Sequence, residues 1–270
     1  MPELPEVEVL RRDLLTRMPK PSRIRCIRFL SPKLRTPLEM PKSMIGKSLH
    51  VNDIERRSKF LIFRLDEGVL ISHLGMSGYW RVETQRSEIK HDHVIIEWEN
   101  GGLWVYNDPR RFGVFEFYPD LSKVKWFIEL GPEPFADEFL GSSMIDKIRR
   151  SDRAIKSIIM DAKVMVGVGN IYASEALFRA GINPFKTGKR VSSKRITRLL
   201  FSIREILSKA IEGGGSSIRD YVHAGGEKGH YQNEHLVYGR SGEMCSQCSS
   251  KIQTKKIQGR STFWCRRCQS

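Results

Sequence analysis

Cys245, Cys248, Cys265 and Cys268 form two knuckles, "CSQC" and "CRRC", separated by sixteen residues. This spacing offers four thiolates to one divalent cation, as in a zinc ribbon. Four sulfurs close a tetrahedron and leave no open coordination position, so the expected zinc is structural. Arg260, Arg266 and Arg267 lie on or beside the ribbon, where they can meet a phosphate backbone. Other stretches carry chemistry of a different kind. "VGVGNIYASE" leads into a helix at Asn170, whose opening N–H groups and asparagine side chain can grip a phosphate. The plainer alternative makes Asn170 an N-cap. Met76 stands between two glycines in "HLGMSG", either as core or as an apolar wedge for a base stack. "DPRRFG" sets Arg110 and Arg111 beside Phe112, a combination suited to base-edge contacts and stacking.

The opening "MPELPEVEVL" crowds two prolines and three glutamates into eight residues. Pro5 suits a first helical turn, where its missing N–H has no partner to lose. Glu6 and Glu8 complement the positive end of the helix dipole. Val7, Leu10, Leu14 and Met18 then recur at helical spacing. None of this accounts for Pro2 and Glu3.

The chain has 270 residues, enough for two or three domains, and 46 Lys and Arg against 31 Asp and Glu, a formal net charge of +15. Such an excess serves solubility, or a polyanionic partner whose counterions are released on binding. Nucleic acid is the expected partner. No run is long and apolar enough to cross a bilayer, and the acidic N-terminus does not read as a secretory signal. The expected setting is intracellular, where a disulfide framework is unusual and metal is the better use of clustered cysteines. Cys26 stands apart from them.

These groups need elements to hold them. Residues from about 45 to 120 read as strands. "KFLIFRL" and "VLISHL" flank Asp66-Glu67-Gly68, "HVIIEWE" and "LWVYN" flank Asn100-Gly101-Gly102, and "VFEFY" alternates over 114–118. Pro132 and Pro134 in "LGPEPF" mark a linker. From about 137 to 223 the pattern is helical. Ile196, Leu199, Leu200, Ile203, Ile206, Leu207, Ala210 and Ile211 define one long helix, capped by Ser192 or Ser193 and ended by "GGG". A second helix, "IYASEALFRA", starts after Asn170 and stops at Gly181.

In their order along the chain, "PELPEVE", "HLGMSG", "KHDHV", "DPRRFG", "LGPEP", "VGVGNIYASE" and "RSTFWCRRC" resemble the bacterial formamidopyrimidine-DNA glycosylase family. The resemblance covers essentially the whole chain. That family excises oxidised purines such as 8-oxoguanine. The related endonuclease-VIII-type glycosylases, which prefer oxidised pyrimidines, usually have Gly where this chain has Leu4, and they diverge in the glycine-rich segment. A zinc-ribbon DNA-binding protein without catalysis is the rival from another class. It has no need of Pro2, Glu3 and Lys59.

The resemblance implies an α+β, multi-domain chain. An N-terminal catalytic β-sandwich with flanking helices (1–130) would precede an all-α helix–two-turns–helix DNA-binding domain (131–223) and a C-terminal zinc finger on a β-hairpin (234–270). It implies a base-excision-repair glycosylase with abasic-site lyase activity, one structural zinc and no organic cofactor. The expected partner is duplex DNA with oxidised bases or abasic sites, met by a monomer in the bacterial cytoplasm, at the nucleoid. Pro2, exposed by loss of Met1, would be the nucleophile, Glu3 the general acid and Glu6 a supporting carboxylate. Lys59 matches a strand lysine near phosphate and lesion, with an ordinary surface lysine as the alternative. Asn170 and Arg260 match a phosphate pinch, and His91 of "KHDHV" a further DNA contact. Met76, Arg110 and Phe112 match the residues that fill the gap left by the extruded nucleotide. "GGGSSIRDYV" (213–222) corresponds to a lesion-covering loop, with Ser217, Ile218, Arg219 and Tyr221 as contacts. The chemistry suits the role, because an α-amino group titrates near 7.7–8.0, far below lysine at about 10.4.

Overall fold

In the computed structural model, which describes residues 1–216 and 229–270, the stretch around Pro5 folds as helix α1 (Leu4–Thr16). Val7, Leu10 and Leu14 join one apolar core with the strands that follow. Among the described residues these are β1 (Arg23–Phe29), β2 (Leu49–Arg57), β3 (Phe60–Leu65), β4 (Val69–His73), β5 (Tyr79–Glu83), β6 (Asp92–Trp98), β7 (Leu103–Asn107) and β8 (Val114–Tyr118). Both expected hairpins form, β3 with β4 and β6 with β7. The sheet order is β5-β7-β6-β1-β2-β3-β4-β8 with antiparallel neighbours.

Between β1 and β2 the ladder narrows to Arg23↔His50 and Ile24↔Leu49. The sheet divides there into two four-stranded halves that close on one another. Phe63 of β3 packs edge-on to Trp80 of β5 and tilts against Trp104 of β7, while Phe115 of β8 meets Trp80 from the other side. Large rings from both inner faces fill the space between, which is the packing of a β-sandwich. Strand β1 lay outside the stretch expected to be strand. Its register against β6 shifts between Ile24 and Cys26, and this bulge breaks the two-residue alternation by which a strand is read.

The chain forms two compact units, Met1–Ile128 with Gly214–His230, and Glu129–Gly213 with Tyr231–Ser270. The first also carries the short helix α2 (Lys125–Ile128). The second holds α3 (Ser142–Arg149), α4 (Ile155–Ile159), α5 (Asn170–Arg179), α6 (Ser193–Glu212) and the hairpin β9 (Gln253–Ile257) with β10 (Arg260–Trp264). Helix α6 buries the apolar residues expected of it, begins after Ser192 and ends at Gly213. The cysteine hairpin belongs to this helical core. Phe178 of α5 packs with Val237, Cys245, Ile252 and Cys265, and Gln269 donates from Nε2 to the Ile182 carbonyl at 2.9 Å. Among the described residues no helix is long and apolar enough to cross a membrane. Ser217, Ile218, Arg219 and Tyr221 lie outside the described residues.

Candidate active site and nucleic-acid interface

In the first unit Pro2 is buried, and Glu3 and Glu6 are 2% and 1% exposed. The Glu3 N–H donates to Glu6 Oε2 at 2.7 Å, and the Ser216 N–H donates to Glu6 Oε1 at 2.8 Å. Burial holds the terminal amine, here that of Met1, below the ordinary 8.0. Glu3 and Glu6 pull it back up, and Lys59 and Arg110 push it further down. The amine, two carboxylates and two cations from separate parts of the sequence share one neighbourhood. Lys59 is not on a strand as expected. It sits in the turn joining β2 to β3, after Ser58 at φ +58°, because so tight a reversal takes its residues out of the ladder.

Two loops of the same unit carry the wedge candidates. Met76 and Phe112 are 40% and 46% exposed, and the Arg110 guanidinium lies 5.1 Å from the Phe112 ring centre. The buried carboxylate of Asp108 ties the loops together. It accepts from Ser77 Oγ at 2.7 Å, from the Gly113 N–H at 2.8 Å and from the Arg110 N–H at 3.2 Å. Gly75, at φ +60°, lets the backbones touch, since a Cβ there would stand 2.5 Å from the Phe112 carbonyl carbon. Its N–H donates to His73 Nδ1 at 3.0 Å. Burial above all, with Lys59 and Arg35 adding to it, pushes His73 down to about 4, so the ring is neutral and able to accept at neutral pH. His91, at φ +74°, adds its carbonyl, which accepts from the Asp108 N–H at 3.0 Å.

In the second unit Asn170 and Arg260 come together. Asn170 Nδ2 donates to the carbonyl of Ser261, next to Arg260, at 2.9 Å. Asn170 is the first helical residue rather than the N-cap, a position Gly169 occupies. Its buried Oδ1 has no hydrogen-bond partner among the described residues. Beneath β10 the buried ammonium of Lys156 donates to Thr262 Oγ1 at 2.9 Å and to the Ser261 carbonyl at 3.1 Å. Glu175 on α5 accepts from the N–H groups of Leu236, Val237 and Tyr238 at 2.8–3.0 Å. Both residues fix the ribbon that carries Arg260.

The four sulfur atoms of Cys245, Cys248, Cys265 and Cys268 lie within 4.8 Å of one another. Two pairs stand at 3.9 and 3.4 Å, close to the edge of about 3.8 Å that tetrahedral zinc–sulfur bonds of about 2.3 Å require. Hydrogen bonding from Ser250 holds the Cys248 thiol down to about 6, whereas burial and the neighbouring sulfurs push Cys268 up. Four such thiols lose their protons together only around a cation. One zinc ion fits.

Fold and site therefore describe a basic chain with an amino terminus set beside buried carboxylates and a four-cysteine site suited to a structural metal. Comparison with known proteins sharpens this. Residues 1–115 match the formamidopyrimidine-DNA glycosylase N-terminal domain, 130–222 its H2TH domain and 242–270 a zinc finger found in FPG and IleRS. A curated formamidopyrimidine-DNA glycosylase of Bdellovibrio bacteriovorus is 44% identical over 271 residues, covering 100% of both chains. A Lactococcus lactis FPG variant crystallised with Fapy-dG-containing DNA superposes with a TM-score of 0.91 at 38% identity, over 99% of each chain. The Lactococcus lactis Fpg complex with abasic-site DNA gives 0.90 at 38%, again over 99% of each. The chain belongs to the formamidopyrimidine-DNA glycosylase family.

Asp108, His73, Lys156 and Glu175 escaped the sequence reading. Asp108 and His73 stood inside quoted motifs, and an Asp before Pro is itself a turn signal. Lys156 shows only as a lone cation in the apolar run "AIKSII". Glu175 closes "VGVGNIYASE" but shows nothing there beyond an acidic residue in a helix.

With a 13C-methyl label, the terminal amine should titrate by NMR below 8.0. Lys59→Met should raise the midpoint, because removing a nearby cation relieves the charged form. For the metal, Cys248→Ser should lower bound zinc, measured by atomic absorption, and weaken duplex binding as the ribbon loses its folding energy. Metal-free protein that cleaves DNA as well as the native form would contradict a structural role.

Proposed function

We infer that the chain is a base-excision-repair DNA glycosylase with abasic-site lyase activity, acting on oxidised purines in duplex DNA. The observation that supports the chemistry is buried Pro2 beside buried Glu3 and Glu6, in a neighbourhood where the preceding Met1 amine also feels Lys59 and Arg110. While Met1 is attached the nitrogen of Pro2 is an amide, so loss of Met1 must precede activity.

The neutral secondary amine of Pro2 attacks C1′ of the lesion's deoxyribose, and the glycosidic electron pair leaves with the base, which takes a proton. The ammonium so formed passes its proton to the Glu3 carboxylate. Glu3 returns it to the ring oxygen as the C1′–O bond opens, and the nitrogen lone pair completes an iminium. That electron sink acidifies the sugar. Loss of a C2′ proton expels the 3′ phosphate with its electron pair, and a second elimination expels the 5′ phosphate. Lys59 and Arg110 favour the neutral amine electrostatically.

Segment 1–130 would do this chemistry, while 131–223 and 234–270 grip the backbone through Asn170 and Arg260. The link from Asn170 to the Ser261 carbonyl supports that pairing. Zinc, when bound, holds the ribbon in shape. Bacterial relatives fit a cytoplasmic location, and we place the enzyme, as a monomer, at the nucleoid through its affinity for DNA.

Extruding a nucleotide costs a few kcal/mol of stacking and pairing, and the hole must be filled. Met76 and Phe112 are exposed and apolar, and Arg110 offers donors only. Cytosine presents two Watson–Crick acceptors, whereas adenine presents one acceptor and a donor amine. Excision of 8-oxoguanine should therefore be about ten- to a hundredfold faster opposite cytosine than opposite adenine, the discrimination of one good bidentate contact. Single-turnover rates on both duplexes, and on one carrying an oxidised pyrimidine, test the reading. Arg110→Ala should erase the preference for cytosine. Faster release of the pyrimidine would contradict the substrate class, and a preference untouched by Arg110→Ala would remove Arg110 from the role.

A further inference from the structure

The described stretch just before residue 217 returns to the first unit against the N-terminal residues. Gly215, at φ +78°, is pressed on Glu6, where an added Cβ would lie 3.2 Å from both Cγ and Oε1 and 3.4 Å from Cα. Left-handed backbone of this kind favours glycine. On its other side Gly229 is backed against the carbonyls of Gly214 and Gly215 so closely that a Cβ there would stand 2.3–2.4 Å from those oxygens. Ser216 is buried, and its N–H reaches Glu6 Oε1 at 2.8 Å while the other carboxylate oxygen holds the Glu3 N–H at 2.7 Å.

We propose that Gly214–Ser216 is a positioning elbow for the attacking amine, acting through the Glu6 carboxylate. The inference rests on the reading of Pro2 as nucleophile. The Glu3 nitrogen is the amide nitrogen of the bond to Pro2, so a displacement of Glu6 tilts the peptide plane that carries the amine. A carboxylate shared between two backbone donors on separate segments cannot follow one without loosening the other. Glu6 thus sets geometry, where a proton-transfer role would leave Gly215 free to change. Gly215→Ala separates the two, since it displaces the carboxylate without removing it. Glu6→Gln is the complementary change, because the amide keeps one acceptor oxygen and turns a donor nitrogen toward the other N–H.

The experiment uses full-length protein with Met1 removed, in native, Gly215→Ala, Glu6→Gln and doubly substituted forms. Three quantities are measured: the single-turnover rate of borohydride trapping on an abasic-site duplex at saturating enzyme, the Kd for a duplex with a tetrahydrofuran abasic analogue, and amide hydrogen exchange at Glu3 and Ser216. Each single change should slow trapping by about tenfold or more, as small misplacements of a reacting group do, with Kd unchanged within about twofold. Exchange should quicken at Glu3 and Ser216. The double variant should be no slower than the slower single, as expected of two changes acting through one contact. Gly215→Ala protein that traps at the native rate overturns the elbow, as does a loss of trapping matched by an equal loss of affinity. Native protein that is not trapped at all overturns the nucleophile reading, and the elbow's function with it, even where exchange responds as described.

Discussion

A chain terminus has to be kept from fraying, and here one buried carboxylate does much of that work. Chain termini order only when something ties them down. Glu6, in the first turn of α1, reaches back to the Glu3 N–H and across to the Ser216 N–H. The apolar face of α1 then fixes that turn to the sandwich core through Val7, Leu10 and Leu14. The same burial that orders the terminus also removes water from the amine, and water is what stabilises its charged form. The order of the terminus and the lowered pKa of its amine thus have one physical cause. The tip of the β2–β3 hairpin and the loop between β7 and β8 matter for the same reason, since they carry Lys59 and Arg110 to the amine's surroundings.

Fixed loops recur around the residues proposed to touch DNA. Asp108 spends its oxygens on the hydroxyl and N–H groups of two loops, so Met76, Arg110 and Phe112 project from a braced frame. In the second unit Lys156 and Glu175 are buried charges committed to backbone and hydroxyl partners of the ribbon. Such groups are costly to bury unless paired. Their pairing here fixes where Arg260 stands, and zinc closes the same module from its other end. A phosphate contact on a loosely held ribbon would give up conformational entropy on binding, and a braced one gives up less.

What was legible in the sequence was local. Helix α6 followed from its 3.6-residue period, the β3–β4 and β6–β7 hairpins from turn residues between alternating runs, and the metal set from cysteine spacing. The start of α1 followed from Pro5 in its first turn, Met76 and Phe112 stood out in their motifs, and the architecture followed from the family resemblance those motifs carry. What stayed hidden was tertiary. Strand β1 was masked by its bulge, Lys59 lay in the turn because Ser58 adopts a left-handed backbone, and Asn170 began its helix instead of capping it. Nothing near Glu6 announces Ser216 as a partner 210 residues away, and nothing in "AIKSII" says that Lys156 faces Thr262.

The central claim is that the second residue, freed of Met1, makes the covalent bond to DNA. Mapping the borohydride-reduced adduct tests it most directly. The enzyme is trapped on an abasic-site duplex, both partners are digested, and the modified peptide is sequenced by mass spectrometry. The account predicts a sugar fragment on the nitrogen of Pro2, on a peptide that begins at Pro2. A fragment on Lys59 or any other lysine, or an adduct on protein that still carries Met1, would contradict it.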